Sequence, residues 1–536
     1  MKSTLILSYL ILSISLSSVA FSEDEEMQNL INLQARKLKL ILETATKFHR
    51  DSIDINKACD AAFVELLHNF DANSEYYPKS VIAKLNERNQ GTTVGIGIDF
   101  IEMNDTITVV SVVRASPADS AGFKIGDQIL FINDTPVSKK SRTEALQLLL
   151  GDTSSSVTII YKSFTNNELK SIQIERKLYE SSSISTNFII DNDIAYIGIN
   201  RFSDLTAKEF ESIAQKFISE NVKKVIIDLR GNTGGYLGRA VEIADHFLRD
   251  SLMICSTVSK HESFREEFRA KNGGIFENLP LLVIVDSLSA SGSEILAAAI
   301  QDNDRGLIVG QQTYGKATAQ KLFNILDSTA FRITVAEYIT PLGRHLHRNK
   351  TLDSNSSKLD ESANLYLSNE NKQMLENIIN KYGGKTQIPV YTTPKGRNLF
   401  SSWGIYPDVI VQYDTVSPLP TVLRRKGITL NWALEYVRKN NKSIQHLYKN
   451  NFSAYKNDFV VDDTMLNDFT KFAISRKIWN VEMYNKDKAV ISLDIKSAIA
   501  YILWGNNESN QITLENDIFV KTALQNFKNA ELLIDN

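Results

Sequence analysis

Two short stretches combine residue types that could perform nucleophilic catalysis. The first, residues 289–294, reads SASGSE and centres on Ser291, and the second, residues 314–316, reads YGK and ends in Lys316. A serine hydroxyl is a weak nucleophile until a base removes its proton, and a lysine can be that base only when its amine is neutral. Burial lowers the pKa of a lysine from about 10.4 towards neutral pH. The two stretches therefore predict hydrolysis of an amide by a Ser/Lys pair.

The surroundings of Ser291 could also stabilise an oxyanion. A buried-strand pattern precedes this serine and a strong helix-forming run follows it, so the serine is predicted to open a helix. The first turn of a helix offers free backbone amides and the positive end of the helix dipole, and the amide of Gly292 is one candidate donor. The glycine loop, residues 231–235, also follows a strand pattern, so an amide of Gly234 or Gly235 is predicted as the second donor.

Periodicity divides the chain into regions of different character. Residues 23–90 and 413–536 show helical spacing of apolar residues, whereas residues 91–178 consist of short β-like segments separated by turns. From about residue 190, buried-strand patterns alternate with helical patterns. This alternation predicts an α/β core with a sheet covered by helices.

The N-terminus is typical of an exported protein. Lys2 precedes an apolar run from Leu5 to Leu16, and small residues follow up to Ser22. A short apolar segment with small residues at a cleavage site predicts a signal peptide over residues 1–22, and an uncleaved membrane anchor is the alternative. We therefore expect export.

Composition excludes several classes of function. The chain has 536 residues, a formal net charge of -3 and no basic block, so no nucleic-acid partner is expected. Its two cysteines cannot make a disulfide framework. The seven histidines show no pairing with the serine motif, which makes a Ser-His-Asp triad the weaker catalytic alternative. No spacing indicates a metal site.

The β-like region resembles a PDZ domain over residues 91–178. The residues that carry this resemblance are Ser116, Pro117, Ala118, Ala121, Gly122, Gly126, Asp127, Ile129, Ile132 and Asn133. PDZ domains bind an extended peptide at a strand edge and hold its terminal carboxylate in a glycine-containing loop. The resemblance implies that Gly95, Ile96, Gly97 and Ile98 form this loop. The alternative is that the glycines only make a tight turn.

The serine and lysine motifs resemble those of the C-terminal processing (tail-specific) proteases of the S41 serine peptidase family. The resemblance covers residues 55 to about 412 and includes the glycine loop and the stretch 404–408, GIYPD. It implies a crotonase-like core of sheet and helices, without a metal or organic cofactor. By position in the family motif, the implied roles are nucleophile for Ser291, general base for Lys316, orienting group for Gln320 and supporting residue for Asp302.

Three positions depart from the family pattern, and none of them removes a catalytic group. Gly292 replaces the usual alanine, Thr233 stands where proline is common, and Ala317 stands where glycine often follows the lysine. The resemblance still implies an active, periplasmic endopeptidase acting on proteins with apolar C-termini, and it leaves open a homo-oligomer or an adaptor protein. The rival interpretations are a catalytically inactive PDZ scaffold that binds peptides and, less favoured, a carrier of small apolar ligands.

The predicted organisation has five parts. They are a signal peptide (1–22), an N-terminal helical region (23–90), an inserted PDZ domain (91–178), an S41 protease core (179–412) and a helical C-terminal extension (413–536).

Overall fold

The computed structural model divides the chain into two compact units. One unit comprises Met1–Ile82 with Gln320–Thr334, and the other comprises Ala83–Ala319 with Val335–Asn536. The structure describes residues 2–103, 106–271, 273–347, 390–400, 404–412, 416–448 and 451–534.

The first unit is mainly helical. It contains α1 (Lys2–Phe48), α2 (Ile55–His68) and a short strand, β1 (Glu75–Tyr77). The side chain of Asp54 accepts a backbone N–H three residues further on, so this aspartate caps the start of α2. β1 pairs antiparallel with residues 330–332.

The predicted signal peptide overlaps α1. Residues 2–22 belong to this helix, and their side chains lie outside the described part of the structure. Among the described residues, no helix combines the length and the hydropathy needed to span a membrane.

The second unit begins with an antiparallel β domain that follows α3 (Lys79–Gln90). Its strands are β2 (Thr92–Gly95), β3 (Ile98–Met103), β4 (Thr106–Val112), β5 (Gln128–Ile132), β6 (Thr135–Pro136), β7 (Ser156–Lys162), β8 (Leu169–Glu175) and β9 (Lys177–Glu180). Two helices accompany them, α4 (Pro117–Ser120) and α5 (Arg142–Leu149). The sheet has the order β3-β4-β5-β7-β8 with β6 on β5, and β2 pairs with β9 where the chain enters and leaves the domain.

A mainly parallel sheet forms the core of the second unit. Its strands, in spatial order, are β10 (Ile184–Ile190), β11 (Ile194–Ile199), β12 (Lys224–Asp228), β15 (Leu281–Val285), β16 (Leu307–Gly310) and β21 (Val409–Ile410). Only the pairing of β10 with β11 is antiparallel. The α/β prediction for this region and the mainly β prediction for the inserted domain are both confirmed.

Alternate residues of the central strands face two different apolar layers. On β12, Val225 and Ile227 pack with α6 (Thr206–Ser219), α7 (Leu237–Asp245) and α8 (Gly292–Asp302). Ile226 points to the opposite face, as expected from the two-residue period of a strand. Helices on both faces explain why the central strands read as continuous apolar runs.

Further strands lie outside this sheet. They are β13 (Met253–Val258), β14 (Glu267–Arg269), β17 (Thr318–Asn324), β18 (Ala330–Ile339), β19 (Val390–Thr392) and β20 (Asn398–Phe400). β13 pairs antiparallel with β14 and with residues 337–339, and β19 and β20 form a hairpin. Two short 3₁₀ turns occupy Glu262–Phe264 and Leu326–Ser328.

The C-terminal part is helical, as predicted. Its helices are α9 (Pro418–Arg425), α10 (Ile428–Tyr448), α11 (Phe452–Asp458), α12 (Asp463–Ser475), α13 (Val481–Trp504), α14 (Asn506–Leu514), α15 (Ile518–Gln525) and α16 (Phe527–Glu531). The helices from α9 to α14 enclose an apolar core of their own, which includes Trp432 and Tyr455. By contrast, α15 and α16 cover the second face of the parallel sheet. The last two helices therefore complete the α/β core.

A buried carboxylate in α13 makes the stability of the helical part depend on pH. Burial raises the pKa of Asp494 to about 6 although Arg424 opposes the shift. Asp494 Oδ1 accepts from Arg424 Nη1 at 3.0 Å, and its Oδ2 has no partner among the described residues. The folded-state pKa lies above the unfolded value, so this group favours folding below pH 4 and that contribution is lost as the pH rises through 6.

Asp494→Asn should therefore stabilise the protein at pH 8. The gain is at most about 3 kcal/mol in the free energy of unfolding, and the variant should show a flatter profile between pH 5 and 8. Urea unfolding at both pH values measures it, with Asp463→Asn, an exposed aspartate, as the control. A loss of stability at pH 8 would show that the Arg424 ion pair outweighs the cost of burial.

Candidate functional site

Ser291 occupies a strained turn between β15 and α8. Its φ of 56° and ψ of -114° lie outside the regions that non-glycine residues ordinarily adopt, a conformation that costs of order 1–3 kcal/mol. The neighbouring serines are buried and bonded: the Ser289 hydroxyl donates to the Leu229 carbonyl, and the Ser293 hydroxyl donates to the Asn232 carbonyl. These two side chains anchor the turn, whereas Ser291 itself is only half-buried.

The glycine loop lies directly against this turn. The amide of Ala290 donates to the carbonyl of Asn232 at 3.0 Å. A Cβ added to Gly234, whose φ is +96°, would lie 2.7 Å from the Cβ of Ser291. No side chain fits there, so glycine at this position allows the loop to approach the serine.

The amides predicted to form an oxyanion hole differ in whether they already donate a hydrogen bond. The amide of Gly234 donates to Asn232 Oδ1 at 2.8 Å, and the Asn232 side chain is fully buried. Within the described part of the chain, the amides of Gly235 and Gly292 donate to no acceptor. Gly235 and Gly292 are therefore the better candidates, and Gly234 supports the loop.

A buried carboxylate connects the serine turn to the lysine loop. Glu294 is 1% exposed, and its Oε2 accepts the amides of Ser291 (2.9 Å) and Lys316 (2.8 Å). Its Oε1 accepts the Thr313 hydroxyl (2.5 Å) and the Gly315 amide (2.7 Å). Burial raises the pKa of Glu294, and these four hydrogen bonds oppose the shift. Two amides on one oxygen bring the backbones of Ser291 and Lys316 close together.

Sequence reasoning did not assign Glu294 a function. Its distance of three residues from Ser291 is the spacing of a capping box, which describes many helix starts without any chemistry. The signal that could have identified it is a buried-helix pattern around a carboxylate, because carboxylates are almost never fully buried unless partnered.

Lys316 lies in the loop between β16 and β17 and is half-buried. The same loop is fixed to the serine turn a second time, since the amide of Tyr314 donates to the Ser289 carbonyl at 3.0 Å. Gln320 lies in β17 and is half-buried, and its orienting role stays a prediction.

Asp302 ends α8 in a buried ion pair. It binds Arg344, and both side chains are 0% exposed. Its Oδ2 accepts the Thr340 hydroxyl at 2.5 Å and the Leu342 amide at 3.0 Å. This placement favours the supporting, structural role expected for Asp302.

The predicted carboxylate loop of the inserted domain joins β2 to β3. Its carbonyls are engaged within the domain: Ile96 accepts the amide of Ala118, and Gly97 accepts the amide of Val113, both at 2.8 Å. Gly97 has a φ of +83°, and an added Cβ would lie 2.2 Å from the Cβ of Ser116. The close approach explains the glycine at this position. Capture of a carboxylate by residues 95–98 stays a prediction.

Comparisons with known proteins match three segments of the chain. Residues 193–354 match Peptidase family S41, residues 94–175 match a PDZ domain, and residues 421–505 match a family of unknown function. The Carboxy-terminal-processing protease of Bartonella bacilliformis is 29% identical over 294 residues, which cover 54% of this chain and 67% of the relative.

A second relative gives a similar match. The Carboxyl-terminal-processing protease of a Picosynechococcus species is 32% identical over 262 residues, covering 48% of this chain and 61% of the relative. The chain thus spans about half to two thirds of the length of the curated relatives it matches. A solved photosystem II D1 C-terminal processing protease is 20% identical, with 70% of this chain and 86% of that chain covered and a TM-score of 0.36. The resemblance seen in the sequence is confirmed: the chain carries a domain of Peptidase family S41 preceded by a PDZ domain.

Proposed function

We propose that the protein is an exported serine endopeptidase that binds the C-terminal segments of proteins through its PDZ domain and cleaves peptide bonds with Ser291 and Lys316. One observation carries the proposal. The strained turn of Ser291 and the loop of Lys316 share one buried carboxylate oxygen, on Glu294, as a common hydrogen-bond acceptor. Strain held at a half-buried hydroxyl is typical of a functional site.

In the proposed reaction, Lys316 removes the proton from Ser291 Oγ as this atom attacks the scissile carbonyl. The amides of Gly235 and Gly292 donate to the oxyanion of the tetrahedral intermediate. When the intermediate collapses, the lysine ammonium returns the proton to the leaving amine, and the acyl group stays on the serine. A water molecule, deprotonated by Lys316, then attacks the acyl carbonyl, and the lysine ammonium returns the proton to Ser291 Oγ as the acyl product leaves. We assign Gln320 to orienting the lysine.

Packing accounts for one of the departures from the family pattern. An added Cβ at Gly292 would lie 3.0 Å from the ring of Phe202 and 3.3 Å from the Cβ of Ala240. The alanine that is usual in the family would be tight here, and glycine leaves the amide available. This departure is therefore consistent with an active enzyme.

We further propose the division into a signal peptide (1–22), an N-terminal helical region (23–90), a PDZ domain (91–178) and a protease core (179–412). To this core we add α15 and α16. Export would place the enzyme in the periplasm, where protein or peptide chains with apolar C-termini are its substrates.

The test compares residues 23–536 of the wild type with Ser291→Ala and Lys316→Ala on an unfolded protein with an apolar C-terminal tail. Mass spectrometry should detect cleavage by the wild type and a loss of about 10³-fold or more in each variant. Lys316→Arg is the matched control for charge, because a guanidinium stays protonated and cannot act as a base. It should be as inactive as the alanine variant.

The alternative is a catalytically inactive PDZ scaffold. A wild type that binds the tail but does not cleave it, at unchanged folding, would favour the scaffold. Cleavage retained by Ser291→Ala would refute the assignment of the nucleophile.

A further inference from the structure

β3 is an edge strand of the PDZ domain, and one of its residues has both backbone polar groups occupied by side chains. Among the described residues β3 pairs with β4 alone, so its other side is an edge. The amide of Phe100 donates to Asp99 Oδ1 at 2.8 Å, and the carbonyl of Phe100 accepts from Arg142 Nη1. Side chains thus bind the groups that a neighbouring strand would bind.

The two side chains also bind each other. Arg142, the first residue of α5, pairs through Nη2 with Asp99 Oδ1 at 2.6 Å, and its guanidinium lies 5.1 Å from the centre of the Phe100 ring. Asp99 and Arg142 therefore act as one unit on Phe100.

An added antiparallel strand needs these same groups. In an antiparallel pair, a residue at a hydrogen-bonded position exchanges both its N–H and its C=O with the residue opposite. Phe100 lies two residues beyond Ile98, at the end of the expected carboxylate loop, so it is the next residue along the edge that a bound chain would reach. The occupied position therefore falls within the path of a C-terminal segment.

We propose that the Asp99–Arg142 pair closes the peptide-accepting edge of the PDZ domain, and that an incoming C-terminal segment binds by displacing it. This inference rests on the proposed function of the domain in tail binding. The side chains of Arg142 and Asp99 are 54% and 58% exposed, so water and salt screen their attraction. The need to displace the Asp99–Arg142 pair therefore lowers the affinity for a tail only a few-fold. The pair excludes chains that bind weakly, whereas chains that bind tightly displace it.

Residues of the helical C-terminal part lie beside β3 and β4. Movement of the Asp99 and Arg142 side chains is therefore enough to open the edge, without a shift of the β3 backbone. Ile101 Cδ1 lies 3.6 Å from where a Cβ of Gly427 would be, at the start of α10. Burial raises the pKa of Tyr501 on α13, and the side chain of Ser111 on β4 lies close enough to oppose the shift. Residues of the helical part thus lie beside both strands.

The test measures binding of a fluorescent peptide with an apolar C-terminus to residues 23–536, with Ser291→Ala as the background that prevents cleavage. Arg142→Ala and Asp99→Ala should each tighten binding about three- to fivefold, and the double variant should gain little more because the two side chains act together. Lys170→Ala, which removes a charge from β8 at the far edge of the sheet, is the matched control and should leave the affinity unchanged.

The outcomes separate this inference from the proposed function. Weaker or unchanged binding in both Arg142→Ala and Asp99→Ala, with thermal unfolding as in the parent, would overturn the closure while tail recognition stands. If the parent binds the peptide no better than its C-terminally amidated form, tail recognition itself fails.

Discussion

Glu294→Gln is expected to lower kcat for a tail-bearing substrate by about 10²- to 10³-fold while KM stays within about threefold. Each oxygen of the Glu294 carboxylate accepts two hydrogen bonds. An amide group in place of either oxygen would face two donors and lose both bonds. Because one oxygen holds the amides of Ser291 and Lys316 together, the loss should separate the proposed nucleophile from the proposed base. Because we propose that the tail binds to another domain, KM should change little.

Steady-state kinetics on the full chain, alongside thermal unfolding, measure this effect. Glu211→Gln changes the same functional group on the exposed surface of α6 and serves as the control. Wild-type kcat in a folded Glu294→Gln variant would contradict the positioning role. A fall in the unfolding temperature with unchanged kcat would assign Glu294 to stability alone.

The second large effect concerns stability. Phe519→Ala should lower the free energy of unfolding by about 3–5 kcal/mol. Phe519 is 1% exposed in the layer that covers the sheet, and the guanidinium of Arg230 lies 4.9 Å from its ring centre. The same guanidinium pairs with Asp228 at the end of β12 and with Asp517 before α15. Truncation of the Phe519 ring would leave a cavity next to the ion pairs of Arg230.

Leu532→Ala is the control for this experiment, because Leu532 is 77% exposed and follows the same helices. Its substitution should change the free energy of unfolding by less than about 0.5 kcal/mol. Urea unfolding compares the two variants. Equal small effects would mean that α15 and α16 can leave the sheet without cost.

The strands of the sheet could be predicted from the sequence, whereas the surface against which the last two helices pack could not. Continuous apolar runs such as residues 281–285 can only be buried strands or buried helix, and turn residues on both sides favour a strand. In contrast, the apolar stripe of residues 518–527 fits any helix with a covered face. Its spacing does not indicate which surface covers it, so the packing of this helix on the distant sheet could not be read from periodicity.

The same limit applies at the candidate site. The types and order of Ser291 and Lys316 suggested the chemistry, since few pairs of side chains combine a hydroxyl with a neutralisable amine. Which glycine amide is available depended on Asn232, whose side chain binds the amide of Gly234. That contact spans only two residues, yet asparagine beside glycine usually indicates just a turn.

The position of α15 and α16 on the parallel sheet sets the order in which the protein can mature. Translation produces Ser291 and Lys316 more than 200 residues before Phe519. One face of the sheet therefore stays without its apolar cover until α15 and α16 have been synthesised, and the nascent chain cannot complete its α/β core before then. If the protein is the exported peptidase proposed above, we expect it to stay competent for export and without peptidase activity until its synthesis is complete.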